Sequence, residues 1–174
     1  MDKQSNLIFS EQSKFLNYFS LVSLLALVMI HSCERFSNEA NDVILSSILN
    51  DISCFKKVKH APKILIISLN KLLLKCNLEF IQRRFTQILD TIITLLQMIS
   101  MKKDNLFDDD EDDELRDYEN SLIQTMNDII KMDEFQDFKN QIKTLKEQNL
   151  GLIQMTVNEL PQSKKDFLKN VLSV

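Results

Sequence analysis

The chain has 174 residues, of which 44% are hydrophobic and 26% charged, a length and composition that suit one globular unit and exclude collagen-like and disordered chains. One glycine and two prolines leave few positions for hairpin turns or phosphate-binding loops, so the composition excludes most β-rich folds and predicts an all-α protein. Residues 104–119 hold ten acids and one base, a net −9, and since the whole chain carries −4 the remaining residues carry +5.

The first predicted helix runs from Phe15 to Cys33 and is apolar on most sides. About 20 apolar residues are enough to cross a bilayer, so a membrane-anchored helical protein is one alternative. Asn17, Ser20 and Ser23 interrupt the run and favour a helix buried among neighbouring helices, without membrane contact. No positive stretch leads directly into an apolar one at residues 1–12, so the sequence predicts no signal peptide.

Three more helices are predicted before the acidic stretch. The second covers residues 39–54, and Ser37 and Asn38 are its candidate N-caps. Its apolar stripe consists of Ile44, Leu45, Ile48, Leu49 and Ile52. The third helix has Pro62 in its first turn. The fourth, over residues 78–101, is the longest, and its wide apolar face consists of Phe80, Ile81, Phe85, Ile88, Leu89, Ile92, Leu96 and Ile99.

The helices predicted after the acidic stretch are shorter. A fifth has an apolar stripe formed by Leu115, Tyr118, Leu122, Met126 and Ile129. A sixth begins at Asp133, which stands in capping-box relation to Gln136, and its stripe is formed by Phe135, Phe138, Ile142 and Leu145. Asn149 to Gly151 interrupt it, with the single glycine where a helix end uses a positive φ. Two short helices complete the chain, the last with Pro161 in its first turn.

The spacing of these seven or eight helices predicts their arrangement. Short connections imply antiparallel neighbours. Helix pairs of about 40 residues, each unable to bury its apolar face alone, are typical of an α-solenoid, and a closed helical bundle is the alternative.

Sequence motifs of catalysis and of metal binding are nearly absent. The sequence has no Gly-rich phosphate loop, no G-x-S-x-G and no H-E-x-x-H, and its two histidines are 29 positions apart, so we predict no enzyme activity and no cofactor. His31, Cys33, Cys54, His60 and Cys76 lack the spacing of structural zinc sites. We therefore interpret the cysteines as core thiols in a reducing compartment and predict no metal site.

The acidic run from Asp108 to Glu114 has three interpretations. It is a solvated interhelical loop if like charges only repel. If the acidic run recruits a partner, it is a salt-sensitive binding site for basic protein segments. It is an EF-hand calcium loop if the template positions 1, 3, 5, 8 and 12 are filled by Asp108, Asp110, Asp112, Leu115 and Glu119. Asp113 stands where that template needs glycine.

The basic residues form a weaker cluster. Four lysines lie in and near one predicted turn and two arginines lie further on: Lys56, Lys57, Lys59, Lys63, Arg83 and Arg84. Because no aromatic residues of a known module interleave with them and the pI is about 5.2, we predict no nucleic-acid binding and interpret the cluster as a solvated turn.

Four stretches carry a family resemblance, with the acidic run between the second and the third: "ILNDISCFKKVKHAPKILIISLNKLL", "TIITLLQ", "DEFQDFKNQIKTLKEQN" and "LPQSKKDFLKNVL". The most specific piece is Asp133, Glu134 and Phe135 followed by Phe138 and Lys139. In this order the segments resemble the C-terminal end of importin-β superfamily (karyopherin-β) nuclear transport receptors. The resemblance covers about residues 45–174.

The resemblance implies a fold and a function. The fold is the end of a HEAT-type α-solenoid built from antiparallel helix pairs, with HEAT-like repeats in residues 1–104, an acidic loop in 105–117 and closing helices in 118–174. The function is binding of basic cargo, such as histones and ribosomal proteins, for transport through the nuclear pore, in the cytoplasm and nucleus. Nucleoporins are further implied partners.

Two expectations follow for the parts of such a receptor. The cargo-binding residues implied by the resemblance are those of the acidic loop: Asp108, Asp109, Asp110, Glu111, Asp112, Asp113 and Glu114. Ran-GTP would bind only through an N-terminal arch that has no counterpart here. We therefore expect either a segment of a larger receptor or a small protein that retains the end of the solenoid.

Overall fold

The computed structural model of the protein describes residues 35–50, 52, 61–76, 78–104 and 131–173. These residues form five α-helices and no β-strand, so the all-α class is confirmed for this part of the chain.

The five helices are α1 (Asn38–Asn50), α2 (Ala61–Lys75), α3 (Leu78–Asp104), α4 (Glu134–Glu159) and α5 (Gln162–Ser173). Helix α1 begins one residue before its predicted start, and α3 begins at its predicted start and ends three residues after its predicted end. Helix α4 joins two helices predicted as separate. None of the described helices is long and apolar enough to cross a membrane.

Two of the predicted helices lie outside the described residues. They are the apolar helix from Phe15 to Cys33, which carries the membrane alternative, and the fifth helix, predicted over residues 115–132, of which only the last two residues are described.

Side-chain caps fix where α1 and α4 begin. Ser37 Oγ accepts a hydrogen bond from the Ala40 N–H at 3.3 Å, which confirms Ser37 as the N-cap of α1. Asp133 has extended backbone, and its Oδ1 accepts from the N–H groups of Phe135 and Gln136 at 2.9 and 3.0 Å. Both helices therefore begin where the sequence supplies an acceptor for the unpaired N–H groups of the first turn.

The two prolines lie at helix starts, as predicted. Pro62 is the second residue of α2. Pro161 directly precedes α5, and its carbonyl accepts from the N–H groups of Lys164 and Lys165 at 3.0 and 3.1 Å. At these positions the missing proline N–H costs no helical hydrogen bond.

Helix α4 contains a break at Asn149, where φ is −154° and ψ is 73°. Asn149 Oδ1 accepts a hydrogen bond from the Leu152 N–H at 3.1 Å, which is the contact of an N-cap residue with the third residue of its helix. The predicted interruption is thus confirmed, but its predicted cause is wrong. No glycine in the described part has a positive φ, and Gly151 is an ordinary helical residue.

Replacing Gly151 by alanine is expected to raise the free energy of unfolding by about 0.4–1 kcal/mol, because alanine loses less chain entropy in a helix than glycine does. A Cβ at this position would lie 3.9 Å from Asn149 Oδ1, its nearest neighbour, so the added methyl group fits. Urea unfolding of the two proteins measures the difference. A loss of stability would show that residue 151 needs a backbone conformation that alanine does not readily adopt.

The predicted apolar stripes form one hydrophobic core. The stripe residues that are buried are Leu45, Ile48, Phe80, Ile81, Phe85, Ile88, Leu89, Ile92, Leu96, Phe138, Ile142 and Leu145. Five stripe residues are partly buried at its edge: Ile44, Leu49, Ile52, Ile99 and Phe135. Helix α2 lies at the centre, because apolar residues on nearly all its sides are buried.

The packing partners define how the helices follow one another. Helix α2 packs against α3 and α4, and α3 also packs against α1, α4 and α5. The link from α2 to α3 is only two residues long, which makes these helices antiparallel neighbours. Helices α2 and α4 run in the same direction, because Lys63 contacts Glu134 and, further along both helices, Asn70 contacts Asp137.

Candidate functional site

The acidic run from Asp108 to Glu114 lies outside the described residues, and so does the EF-hand template over residues 108–119. His31, Cys33, Cys54 and His60 lie outside them as well. Cys76 is half-buried at the end of α2 and packs against the hydrophobic core, in agreement with its interpretation as a core thiol. Within the described ranges, no three His, Cys, Asp or Glu side chains are close enough together to hold a metal ion.

The described basic residues of the sequence cluster are used in ion pairs within the fold. Lys63 lies in α2, and its Nζ is 3.2 Å from Glu134 Oε2 on α4. Arg83 and Arg84 of α3 both pair with Asp42 of α1, at 3.5 and 2.8 Å. The interpretation as a solvated turn is therefore wrong for Lys63, whose side chain is only 19% exposed. Lys56, Lys57 and Lys59 lie outside the described residues.

A polar seam joins α2 to α4. We define the α2–α4 seam by Lys63, Asn70, Glu134, Asp137 and Gln141. Asn70 Nδ2 donates to Asp137 Oδ2 at 2.7 Å, and Gln141 Nε2 donates to Asp137 Oδ1 at 3.4 Å. Asn70 is fully buried, while the side chains of Lys63 and Glu134 are 19% and 9% exposed. The seam thus places charged and amide groups inside an interface whose remainder is apolar.

The orientation of the Asn70 amide is fixed by Asp137. Turning the amide over would bring its oxygen against a carboxylate oxygen, where two acceptors repel. In the observed orientation Asn70 Oδ1 is buried and has no hydrogen-bond partner. A buried acceptor without a partner costs about 1–3 kcal/mol. The hydrogen bond from Asn70 Nδ2 to the Asp137 carboxylate offsets this cost, and it forms in only one relative position of α2 and α4. The seam therefore specifies how α2 and α4 align.

A second polar contact holds the end of the chain on α3. Thr86, Asp90 and Thr94 recur every four residues and so share one face of α3. We define the α3 clasp as these three residues together with Thr156, Glu159 and Lys164.

The hydrogen bonds of the clasp come from two helices. Thr86 Oγ1 lies 3.4 Å from Thr156 Oγ1 and donates to Glu159 Oε2 at 3.2 Å, both on α4. Lys164 Nζ of α5 donates to Asp90 Oδ1 and, at 2.9 Å, to Thr94 Oγ1. One polar face of α3 therefore binds both α4 and α5.

Neither the α2–α4 seam nor the α3 clasp is among the predicted sites, although each has a signal in the sequence. Asn70 is a polar residue inside the apolar run "ILIISLNKLLL" of a helix buried on most sides, and such a residue needs a polar partner. Thr86, Asp90 and Thr94 form a second stripe beside the apolar face of α3. What the sequence does not show is which distant residues complete these contacts.

The chemistry of both groups is structural. They consist of hydrogen bonds and ion pairs, and all but the Gln141–Asp137 bond within α4 join one helix to another. The described residues thus belong to an all-helical protein whose helices are aligned by buried and half-buried polar contacts. No family model, no curated protein and no solved structure matches the chain.

Proposed function

We propose that the chain is the end of a HEAT-type α-solenoid that works by binding other proteins, as the C-terminal segment of a nuclear import receptor. The observation that carries the proposal is the order of contacts between helices. The first helix of one pair, α2, packs in parallel on the first helix of the next, α4, while α3 packs on α5. Stacked repeats make contacts of this kind between neighbours.

The distribution of burial also supports a terminal repeat. Helix α2 is buried on most sides, whereas Leu168 and Val171 are the only described residues of α5 that are buried. The last repeat of a solenoid needs a polar outer face, since no further repeat covers it. Helix α5 has such a face.

The acidic run supports a basic protein as the partner. Residues 104–119 begin at the last residue of α3 and precede α4 in the chain, and they carry a net −9, while the rest of the protein is positive overall. So dense a charge attracts cationic segments and speeds their association. We propose that Asp108–Glu114 contact cargo such as a histone or ribosomal protein, that transport passes through the nuclear pore, and that the protein works in the cytoplasm and nucleus without catalysis.

Changing the seven acids Asp108–Glu114 to Asn and Gln is expected to weaken binding of a purified core histone about tenfold or more at low salt, because several charge contacts are lost together. Raising the ionic strength should weaken histone binding by the original protein, because exposed charges are screened. The difference in histone affinity between the original protein and the variant should therefore become smaller. Titration at two salt concentrations measures both effects.

A matched control removes charge elsewhere. Glu79 on α3 and Glu147 on α4 are exposed acids, and changing both to Gln is expected to leave histone binding unchanged within about twofold. If the original protein and the variant with all seven acids changed bound the histone with equal affinity, a cargo-binding role for the acidic run would be ruled out.

A further inference from the structure

We propose that residues 150–173, the second half of α4 together with α5, form a C-terminal unit that opens from α3 as one piece about a hinge at Asn149. The proposal does not depend on the identity of any cargo. It rests on the break in α4, on the change of hydrogen-bond partner at that break, and on the attachment of the unit, which has four buried apolar side chains and a partly exposed polar contact.

The hinge is a site where the helix is already interrupted. Asn149 has non-helical φ and ψ, and its side chain caps the segment that follows through the Leu152 N–H. Each half of α4 therefore has its own N-cap, Asp133 for the first and Asn149 for the second. Residues 146–148, 150 and 151 are exposed, so their side chains do not restrict a change of angle at the break.

The two halves of α4 are bonded to different helices. Glu134 and Asp137 in the first half contact α2, whereas Thr156 and Glu159 in the second half contact Thr86 on α3. The break thus coincides with the point where the hydrogen-bond partner of α4 changes from α2 to α3. A rotation at Asn149 can move the second half without disturbing the α2–α4 seam.

The C-terminal unit is held by a small set of contacts. Its buried apolar side chains are Ile153, Leu160, Leu168 and Val171. Four more apolar side chains of the unit are partly buried against the core: Leu152, Val157, Phe167 and Leu172. The polar part of the attachment is the α3 clasp, in which the side chains of Asp90 and Lys164 are 43% and 19% exposed, so salt screens this ion pair in part. Segments with few buried apolar contacts and exposed polar ones open locally, at lower free energy than the whole fold. Opening of this unit would uncover Thr86, Asp90 and Thr94 on α3.

Hydrogen exchange of the full chain, followed by mass spectrometry, tests the proposal. Backbone amides of residues 150–173 are expected to exchange through an open state at least about tenfold more populated than the one that exposes α2 and residues 134–148. The step in protection is expected at Asn149.

A pair of lysine variants tests whether the clasp controls the opening. Lys164→Met is expected to raise the open population of residues 150–173 about three- to tenfold, while residues 134–148 keep their protection. Lys169→Met, at an exposed position of the same helix, is the matched control and is expected to change nothing. High salt should promote opening of residues 150–173 in the original protein, because it screens the pair of Lys164 with Asp90. The effect of salt should be much smaller in the Lys164→Met variant, which lacks this pair.

Two results would overturn the proposal. One is a single cooperative exchange of residues 134–173 without a step at Asn149. The other is an equal effect of Lys164→Met and Lys169→Met. These two results are measured by hydrogen exchange at the end of the chain. Failure of the proposed function would instead be measured as histone binding by the acidic run, so failure of one proposal is distinguishable from failure of the other.

Discussion

Phe138→Ala is expected to lower the free energy of unfolding by about 3–5 kcal/mol, because a fully buried phenylalanine loses its transfer free energy and leaves a cavity behind. Phe138 is 0% exposed and belongs to the same core cluster as the buried residues of α2 and α3. The change therefore tests whether α4 shares one core with the α2–α3 pair. Urea unfolding followed by far-ultraviolet circular dichroism gives the free energy.

The control for Phe138 lies on the same helix. Met155 is 67% exposed, and Met155→Ala is expected to change stability by less than about 0.5 kcal/mol. If Phe138→Ala were as mild as this control, α4 would not be packed into the core. A separate unfolding transition for α4 and α5 would also show that α4 does not share one core with α2 and α3.

Asn70→Asp is expected to lower the free energy of unfolding by about 3–5 kcal/mol at neutral pH, because it buries a carboxylate that has no cationic partner and that lies against the half-buried Asp137. The two side chains have nearly the same shape, so packing is kept. What changes is the contact with Asp137, where a 2.7 Å hydrogen bond becomes a contact between two acceptors of like charge. Acidification that protonates the new carboxyl should recover part of the loss.

Asn70→Leu separates the charge effect from loss of the hydrogen bond. It removes the buried Oδ1 that has no partner, and Asp137 keeps its contact with Gln141. We expect a loss of about 1–2 kcal/mol, smaller than that of Asn70→Asp, because an apolar side chain of similar volume replaces an incompletely bonded polar one. Equal stability of the Asn70→Asp variant and the original protein would show that Asn70 does not face Asp137.

The residues of the candidate site illustrate how far sequence reasoning reaches. Cys76 was placed against the core from its type and its neighbours. For Lys63 the sequence predicts a place in a solvated turn, because Lys56, Lys57 and Lys59 nearby are basic as well. Its partner, Glu134, lies 71 positions away, and no local pattern identifies an ion pair across that distance.

The sequence by itself determined the helices of the described part, because the signals for a helix are local. The N-caps Ser37 and Asp133, the prolines at helix starts and the apolar stripes all act within a few residues of their own position. The sequence also predicts the interruption of α4 but attributes it to Gly151, whereas the break lies at Asn149, which accepts from an N–H group three residues further on.

Only the tertiary structure decided which helices meet and in which direction. The parallel alignment of α2 and α4 depends on Asn70 meeting Asp137, and the attachment of α5 depends on Lys164 meeting Asp90. Apolar burial is non-directional and admits several arrangements of the same helices. A buried polar group is satisfied in far fewer of them, because its hydrogen bond has a fixed distance and angle, and this geometry exists only after distant parts of the chain have come together.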